Sequence, residues 1–194
     1  NMPGDQEVSG RIVRVNDGND SNHQREFVIA QTAHYLRHFY NTSCPDDLEG
    51  YGAPVVLTVN PGEMTDKQFF GPPPAGVSNN LMFVRVRTNT WNLKEVVDLA
   101  IRKYTELDIP VVLTFMAYHE DDSIPSGYHR DYDWRERTLN SYWAITHDAW
   151  KRVMARYEDN PLVHSCGTEG VSTACRHCGN CLREYWATVE RMRA

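Results

Sequence analysis

Four of the five cysteines in this 194-residue chain lie within a 16-residue window. They are Cys166, Cys175, Cys178 and Cys181, in the spacing Cys-x8-Cys-x2-Cys-x2-Cys. Cysteines this close together cannot cross-link distant parts of a chain of this length. The odd total of five cysteines also argues against a disulfide framework. We therefore predict that these four residues ligate one metal centre, and that the lone Cys44 is not a ligand.

The two-residue gaps indicate which metal centre this is. Three cysteines at such gaps are typical of ferredoxin-type loops, which ligate three irons of a [4Fe-4S] cluster and take a fourth cysteine from elsewhere. Tetrahedral zinc usually binds two well-separated pairs of ligands. Zinc would have to skip the middle cysteine here or accept a compressed site. We predict a [4Fe-4S] cluster, with Zn as the alternative cofactor that stays open.

The residues around the cysteines favour a built site. Gly167, Gly170 and Gly179 let the backbone approach a bulky inorganic core. The pattern also predicts that Cys166 follows a short strand and that Cys181 opens the last helix. The positive end of that helix dipole would favour anionic thiolates.

Short apolar strands alternate with amphipathic helices along the rest of the chain, which favours parallel pairing. The predicted strands are Arg11–Val15, Val55–Asn60, Leu81–Thr88, Ile109–Ala117 and Leu162–Cys166. The predicted helices are Glu26–Tyr40, Leu93–Thr105, one around Trp150 that Thr146 caps, and a terminal helix, while His119–Arg137 is predicted to be a polar loop.

These units are too few for an eight-unit barrel, which usually takes about 250 residues. We predict an α/β fold, either a partial (β/α) barrel or an open, mostly parallel sheet, with a C-terminal Cys-rich metal loop and a terminal helix. Residues 1–165 would form the α/β domain, with a flexible N-terminal leader. Residues 166–194, the cluster loop and last helix, would pack on the same domain.

Strand alternation puts Arg85 and Arg87 on one face of their strand, opposite Val84 and Val86. Two arginines in a central strand are costly to bury without partners. Two interpretations stay open. In the first, the arginines pair with Glu63 or Glu120 or face solvent. In the second, the polar face of the sheet is a platform that binds a ligand or an anion. The residues predicted to form that platform are Arg85, Arg87, Asn60, Thr58 and Tyr118, with Thr114 on the same surface.

Three parts of the chain together resemble small radical-SAM-like iron–sulfur proteins of phage and other viral genomes: Val55–Gly62, Leu81–Ala117 and the cysteine segment. The resemblance implies a partial (β/α) barrel that carries a [4Fe-4S] cluster. Radical S-adenosylmethionine enzymes normally carry a Cys-x3-Cys-x2-Cys loop, and no such motif occurs in this chain. Four clustered cysteines would instead occupy every iron, which leaves a cluster-bearing scaffold of related fold.

Composition narrows the function classes further. The formal net charge is −6, which weakens a nucleic-acid hypothesis without excluding it, since that binding depends largely on phosphate neutralisation. No apolar run approaches the roughly 20 residues that cross a bilayer, and the start has no secretory pattern. These features predict a cytoplasmic protein, in the host cytoplasm if viral, with no membrane partner.

The sequence thus predicts an iron–sulfur protein with an electron-transfer or redox-sensing role and an unidentified redox partner. Two alternatives stay open. One is a radical-SAM-related enzyme with a substrate pocket on the polar sheet face. The other is an interaction module that zinc stabilises. No pattern in the chain assigns a catalytic residue.

Overall fold

The structure is a computed structural model that describes residues 2–16, 18–60, 78–168, 171–172 and 178–194. The strands in these ranges are β1 (Val13–Arg14), β2 (His38–Thr42), β3 (Val55–Val59), β4 (Leu81–Thr88), β5 (Val111–Phe115), β6 (Tyr132–Arg135), β7 (Tyr142–Ile145) and β8 (Val163–Ser165). The helices are α1 (Arg25–Thr32), α2 (Asp98–Thr105, preceded by a π-helical turn at Leu93–Val97), α3 (His147–Ala155) and α4 (Asn180–Arg193).

The main sheet is open and has six strands in the order β1-β2-β3-β4-β5-β8. The pairs β1–β2, β2–β3 and β5–β8 are parallel. Since β1 and β8 are edge strands, the sheet does not close into a barrel. The prediction of an open, mostly parallel α/β sheet with a C-terminal helix is confirmed.

The central strands form because both of their faces are buried. The first four residues of β4 and the first three of β3 are all fully or almost fully covered. Continuous apolar runs of this kind are typical of parallel strands that have no solvated face. The observed β4 has the predicted bounds, and Thr146 caps α3 as predicted, since its hydroxyl accepts a hydrogen bond from the backbone of Ala149 at 3.2 Å.

The helix predicted over Glu26–Tyr40 is wrong in its second half. Helix α1 ends at Thr32, and the strand β2 begins at His38. Phe39 and Tyr40 are buried in the sheet, whereas Leu36, which the helical pattern placed on the apolar stripe, is 93% exposed. A short run of aromatic residues fits both the helical and the strand periodicity, and here the strand preference of Phe and Tyr prevails.

A two-stranded antiparallel ribbon replaces part of the predicted loop. Strand β6 pairs with β7, with Trp134 opposite Trp143. The sequence analysis missed both strands because each has only four residues, too few to show a clear alternation.

The chain divides into two compact units, Asn1–Arg85 with Cys181–Ala194, and Val86–Asn180. In the first unit, Arg191 of α4 donates hydrogen bonds to the carbonyls of Leu81, at 2.6 Å, and Asn79, at 3.2 Å. The predicted division at residues 165 and 166 stays a prediction.

The second unit has its own apolar cluster, centred on the fully buried Trp150 and Ala149 of α3. The other buried members are Ile124, Tyr132 and Ile145. In the described ranges, no helix has the length and apolar character that a membrane span needs.

Candidate metal centre

The cysteine segment begins where β8 ends. Cys166 follows Ser165 directly, and its backbone N–H donates a hydrogen bond to the carbonyl of Leu113 on β5 at 2.8 Å. The ladder between β5 and β8 therefore holds the backbone of Cys166, although β8 ends one residue earlier. The side chain of Cys166 is half-buried.

The residue after Cys166 is a glycine in a left-handed backbone conformation. Gly167 has φ 98°, a left-handed value that side-chain-bearing residues rarely adopt. Thr168 and Ser172 then form an isolated antiparallel bridge, with N···O distances of 2.7 and 2.9 Å. Residues 169–170 and 173–177 lie outside the described residues, so the predicted ligand Cys175 and the predicted close-approach glycine Gly170 do too.

The other end of the segment leads into α4. Gly179 has φ 69°, and α4 begins at the next residue, Asn180. The side chain of Asn180 is buried, and its Nδ2 donates a hydrogen bond to the carbonyl of Ser165 at 2.8 Å. Ser165 precedes Cys166 and Asn180 precedes Cys181. This single hydrogen bond therefore ties the two ends of the cysteine segment together at its base.

Metal binding through cysteine requires side chains that are not held in disulfides. Among the cysteines that the structure describes, Cys44, Cys166, Cys178 and Cys181, no disulfide forms and all four side chains are half-buried. No group of three or more His, Cys, Asp or Glu side chains suited to a metal ion occurs within the described ranges. Because Cys175 is outside those ranges, the four-ligand set stays a prediction.

The sheet register places Thr114 of β5 between Arg87 of β4 and Cys166. In a parallel ladder, a carbonyl accepts from the residue that follows its partner. Leu113 pairs with Ser165, and its carbonyl accepts from Cys166. The carbonyl of Thr88 accepts from Met116 at 3.0 Å. Strands β4 and β5 are neighbours joined through helix α2, a connection typical of a parallel pair, and a parallel pair with this hydrogen bond sets Thr88 beside Phe115.

One residue earlier on β4 and β5, Arg87 therefore lies beside Thr114. Thr114 in turn lies beside Cys166. We call these three residues the Arg87 row. The row runs across β4, β5 and the end of β8 on one face of the sheet.

Of the predicted platform residues, Arg85 has a partner that the sequence analysis missed. Its guanidinium donates a hydrogen bond to Oδ1 of Asn41 on β2 at 3.3 Å. Asn41 pairs with Val56 of β3, so Thr58 lies on the same face as Asn41. Thr58 is half-buried and Asn60 is buried.

Of the two predicted carboxylate partners, one is exposed and the other lies outside the described residues. Glu120 is exposed. Glu63 falls in 61–77, which the structure does not describe. The choice between an ion pair and a ligand platform therefore stays a prediction.

Tyr118 is not part of β5, although strand alternation predicted that it shares the polar face of the sheet with the other platform residues. Strand β5 ends at Phe115, and the backbone of Tyr118 pairs with Trp143 of β7. Its ring packs against Trp91 and Tyr132, with centroids 5.3 and 5.6 Å apart. Burial raises the pKa of both Tyr118 and Tyr132, so both phenols keep their protons at neutral pH.

A group of hydrogen bonds around the carboxylate of Asp20, at the end of β2, was also missed. Asp20 accepts hydrogen bonds from the hydroxyls of Thr42 and Ser43 and from the backbone N–H groups of Asn22 and Ser43. The sequence signal was present, because Asp and Asn often bind nearby backbone groups in turns. The partners Thr42 and Ser43, however, lie more than 20 residues away in sequence.

Comparison of the chain with protein-family models, with curated proteins and with solved structures gives no match. The resemblance to radical-SAM-like iron–sulfur proteins therefore stays a proposal.

Proposed function

We propose that the cysteine segment holds one [4Fe-4S] cluster through Cys166, Cys175, Cys178 and Cys181, and that the protein serves in electron transfer or redox sensing. The observation that carries this proposal is the hydrogen bond from Asn180 to Ser165. It supports a loop that is closed between Ser165 and Asn180, the residues that precede the first and the last cysteine. The spacing of the last three cysteines supports the cluster over other centres.

The residues present fit such a centre. Thiolates are the ligands that iron–sulfur clusters take, and backbone N–H groups near glycines bind the sulfides. Cys181 lies in the first turn of α4, a helix of 14 residues. The partial positive charge there stabilises thiolate. A reducing cytoplasm is the compartment we propose, because it keeps such thiols out of disulfides.

The experiment is anaerobic purification of the full chain, followed by an absorption spectrum and analysis for iron, zinc and acid-labile sulfide. About four irons and four sulfides per chain are expected. One zinc and no sulfide per chain would instead support the alternative, an interaction module that zinc stabilises. A chain that holds neither metal, even after anaerobic reconstitution, would overturn the proposal.

A radical-SAM-related enzyme is the second candidate, and the Arg87 row favours it. Polar groups beside a cysteine centre at the carboxyl ends of parallel strands are where α/β sheets bind small ligands. Four cysteine ligands would leave no iron open, so this candidate needs one of the four to be replaceable. An absorption change when S-adenosylmethionine is added to the iron-loaded protein would support it, and no change would exclude direct binding to iron.

A further inference from the structure

We infer that β6 is an interaction surface for a second copy of this chain, whose own β6 adds to it antiparallel about a twofold axis at Trp134. The inference goes beyond the proposed function and does not depend on the metal centre. It uses only residues of the second unit, Val86–Asn180.

The first step is that β6 is an edge strand. Among the described strands it pairs with β7 alone, and the other side of β7 pairs with Tyr118. A strand edge presents a row of backbone N–H and C=O groups that another strand can extend. Trp134 of β6 is 43% exposed, and its neighbours Asp133 and Arg135 are exposed as well.

The second step is the direction of the backbone groups. The N–H and the carbonyl of Trp143 both bond to Tyr118, at 2.7 and 3.1 Å, so they point away from β6. Trp143 and Trp134 are therefore opposite each other without mutual backbone hydrogen bonds, and the N–H and carbonyl of Trp134 point to the open side of β6. The hydrogen bond from Thr146 to the carbonyl of Asp131, at 2.8 Å, lies an odd number of residues along each strand and fits the same alternation.

The third step is charge complementarity, which favours a second copy as the partner and selects the register. Outward backbone groups must meet outward groups, so Trp134 can lie opposite Tyr132, Trp134 or Glu136 of the copy. The first of these registers sets Asp133 opposite Asp133, and the last sets Arg135 opposite Arg135. The central register instead sets the Asp133 of each copy opposite the Arg135 of the other, as a twofold interface requires.

Both faces of β6 contribute to this register. Directly opposite residues of an antiparallel pair have Cβ atoms about 5 Å apart, where opposite charges attract and like charges repel. The exposed ion pair of Asp133 and Arg135 within one chain, 3.5 Å long, would become part of a group of four alternating charges. On the other face, the ring centroids of Trp134 and Trp143 are 5.5 Å apart, and the second Trp134 would extend this aromatic pair across the axis.

The test follows the association of the full chain by sedimentation velocity over a range of concentrations, under anaerobic and reducing conditions that prevent intermolecular disulfides. A strand of four residues is about 13 Å long, so we expect a small interface and a monomer–dimer equilibrium in the micromolar range or weaker. Asp133→Arg and Arg135→Asp each set like charges opposite one another, and each should weaken dimerisation about tenfold or more. Asp159→Arg is the matched control, since Asp159 is exposed beyond the end of α3 and the charge changes by the same amount.

A mixture of the two single variants makes the test specific to this register. In the mixed dimer, opposite charges again face each other at both positions, so the mixture should dimerise about as tightly as the wild type although neither variant does so alone. Such a result would also show that both variants are folded. Trp134→Pro removes an outward N–H but no hydrogen bond to β7, and it should abolish dimerisation.

The outcomes are independent of the proposed function, because metal content is measured separately. A wild type that stays monomeric at several hundred micromolar overturns the inference and leaves the edge of β6 to a strand of another protein. Dimerisation that Asp133→Arg leaves unchanged overturns it too. So does a mixture of the two variants that associates no better than either variant alone.

Discussion

The loops that follow β2 and β8 both start at the carboxyl end of a parallel strand, and each carries a cysteine close to that end, yet they are built differently. After β2, the carboxylate of Asp20 gathers the side chains of Thr42 and Ser43, and the N–H of Cys44 donates to Oγ1 of Thr42 at 3.0 Å. After β8, the described contacts include the backbone hydrogen bond of Cys166, the Thr168–Ser172 bridge and the hydrogen bond from Asn180, and the candidate reactive side chains are thiols. The comparison sets a loop that hydrogen bonds to oxygen atoms complete against one for which we propose a metal.

The largest expected effect falls on the β8 loop. Cys178→Ser should remove nearly all bound metal, because a serine hydroxyl is a poor ligand for iron and zinc, both of which favour thiolate here. Metal analysis per chain is the measurement. Cys178→Ser protein that keeps the wild-type metal content would refute the four-cysteine centre.

Metal loss should also destabilise the C-terminal end of the chain. The free energy of metal binding adds to the stability of the folded state, because the unfolded chain lacks the site. In Cys178→Ser, hydrogen exchange over residues 160–194 should rise before exchange elsewhere. Equal exchange with and without metal would mean that the loop after β8 is complete by itself, like the loop after β2.

The β2 loop should respond to loss of its carboxylate. Asp20→Asn replaces a charged acceptor of several hydrogen bonds, so we expect a loss of about 1–3 kcal/mol in the free energy of unfolding. Urea denaturation measures this loss. Asp46→Asn is the matched control, because Asp46 is exposed in the same loop, and metal content should not change in either variant. A fall in metal content with Asp20→Asn would mean that the two loops are not independent.

Acid should weaken the same contact. Burial by itself raises the pKa of Asp20, but the hydrogen bonds from Ser43, Asn22 and Thr42 outweigh it, so that its pKa lies below its usual value. The stability that follows from this lowered pKa is fully present above the unfolded pKa, about 3.9, and is lost as the pH falls through the folded value. Unfolding free energy of the metal-free protein should therefore fall more steeply below about pH 4 in the wild type than in Asp20→Asn. Parallel pH profiles would show that Asp20 has no such role.

The base of the β8 loop should show a smaller effect. Asn180→Ala leaves the carbonyl of the half-buried Ser165 without its side-chain donor, at a cost of about 1 kcal/mol, and should lower metal affinity without abolishing it. Asn160→Ala is the matched control, since Asn160 hydrogen-bonds Leu162 and Thr105 instead. If both variants lose metal equally, general destabilisation explains the loss and the closure at Ser165 does not.

The two loops also show which features of the fold could be predicted from the sequence and which could not. Local signals predicted the bounds of β4, the cap at Thr146 and the strand before Cys166, because each depends on neighbours in sequence. The contacts that complete the loops join distant residues, Asp20 to Ser43 and Asn180 to Ser165, and no local period encodes such pairs. The ribbon of β6 and β7 was missed for the same reason, since its strands are short and their pairing stabilises them.

The smallest expected effect is on Cys44, and it tests the comparison most directly. Its thiol Sγ lies 4.0 Å from Oδ2 of Asp46, a weak S–H···O contact within the loop itself. Cys44→Ser keeps the size and the weak hydrogen-bonding capacity of the side chain, so unfolding free energy should change by less than about 0.5 kcal/mol. Metal content should equal that of the wild type. Loss of metal from Cys44→Ser as complete as from Cys178→Ser would make Cys44 a ligand, and the loop after β2 would then belong to the metal centre.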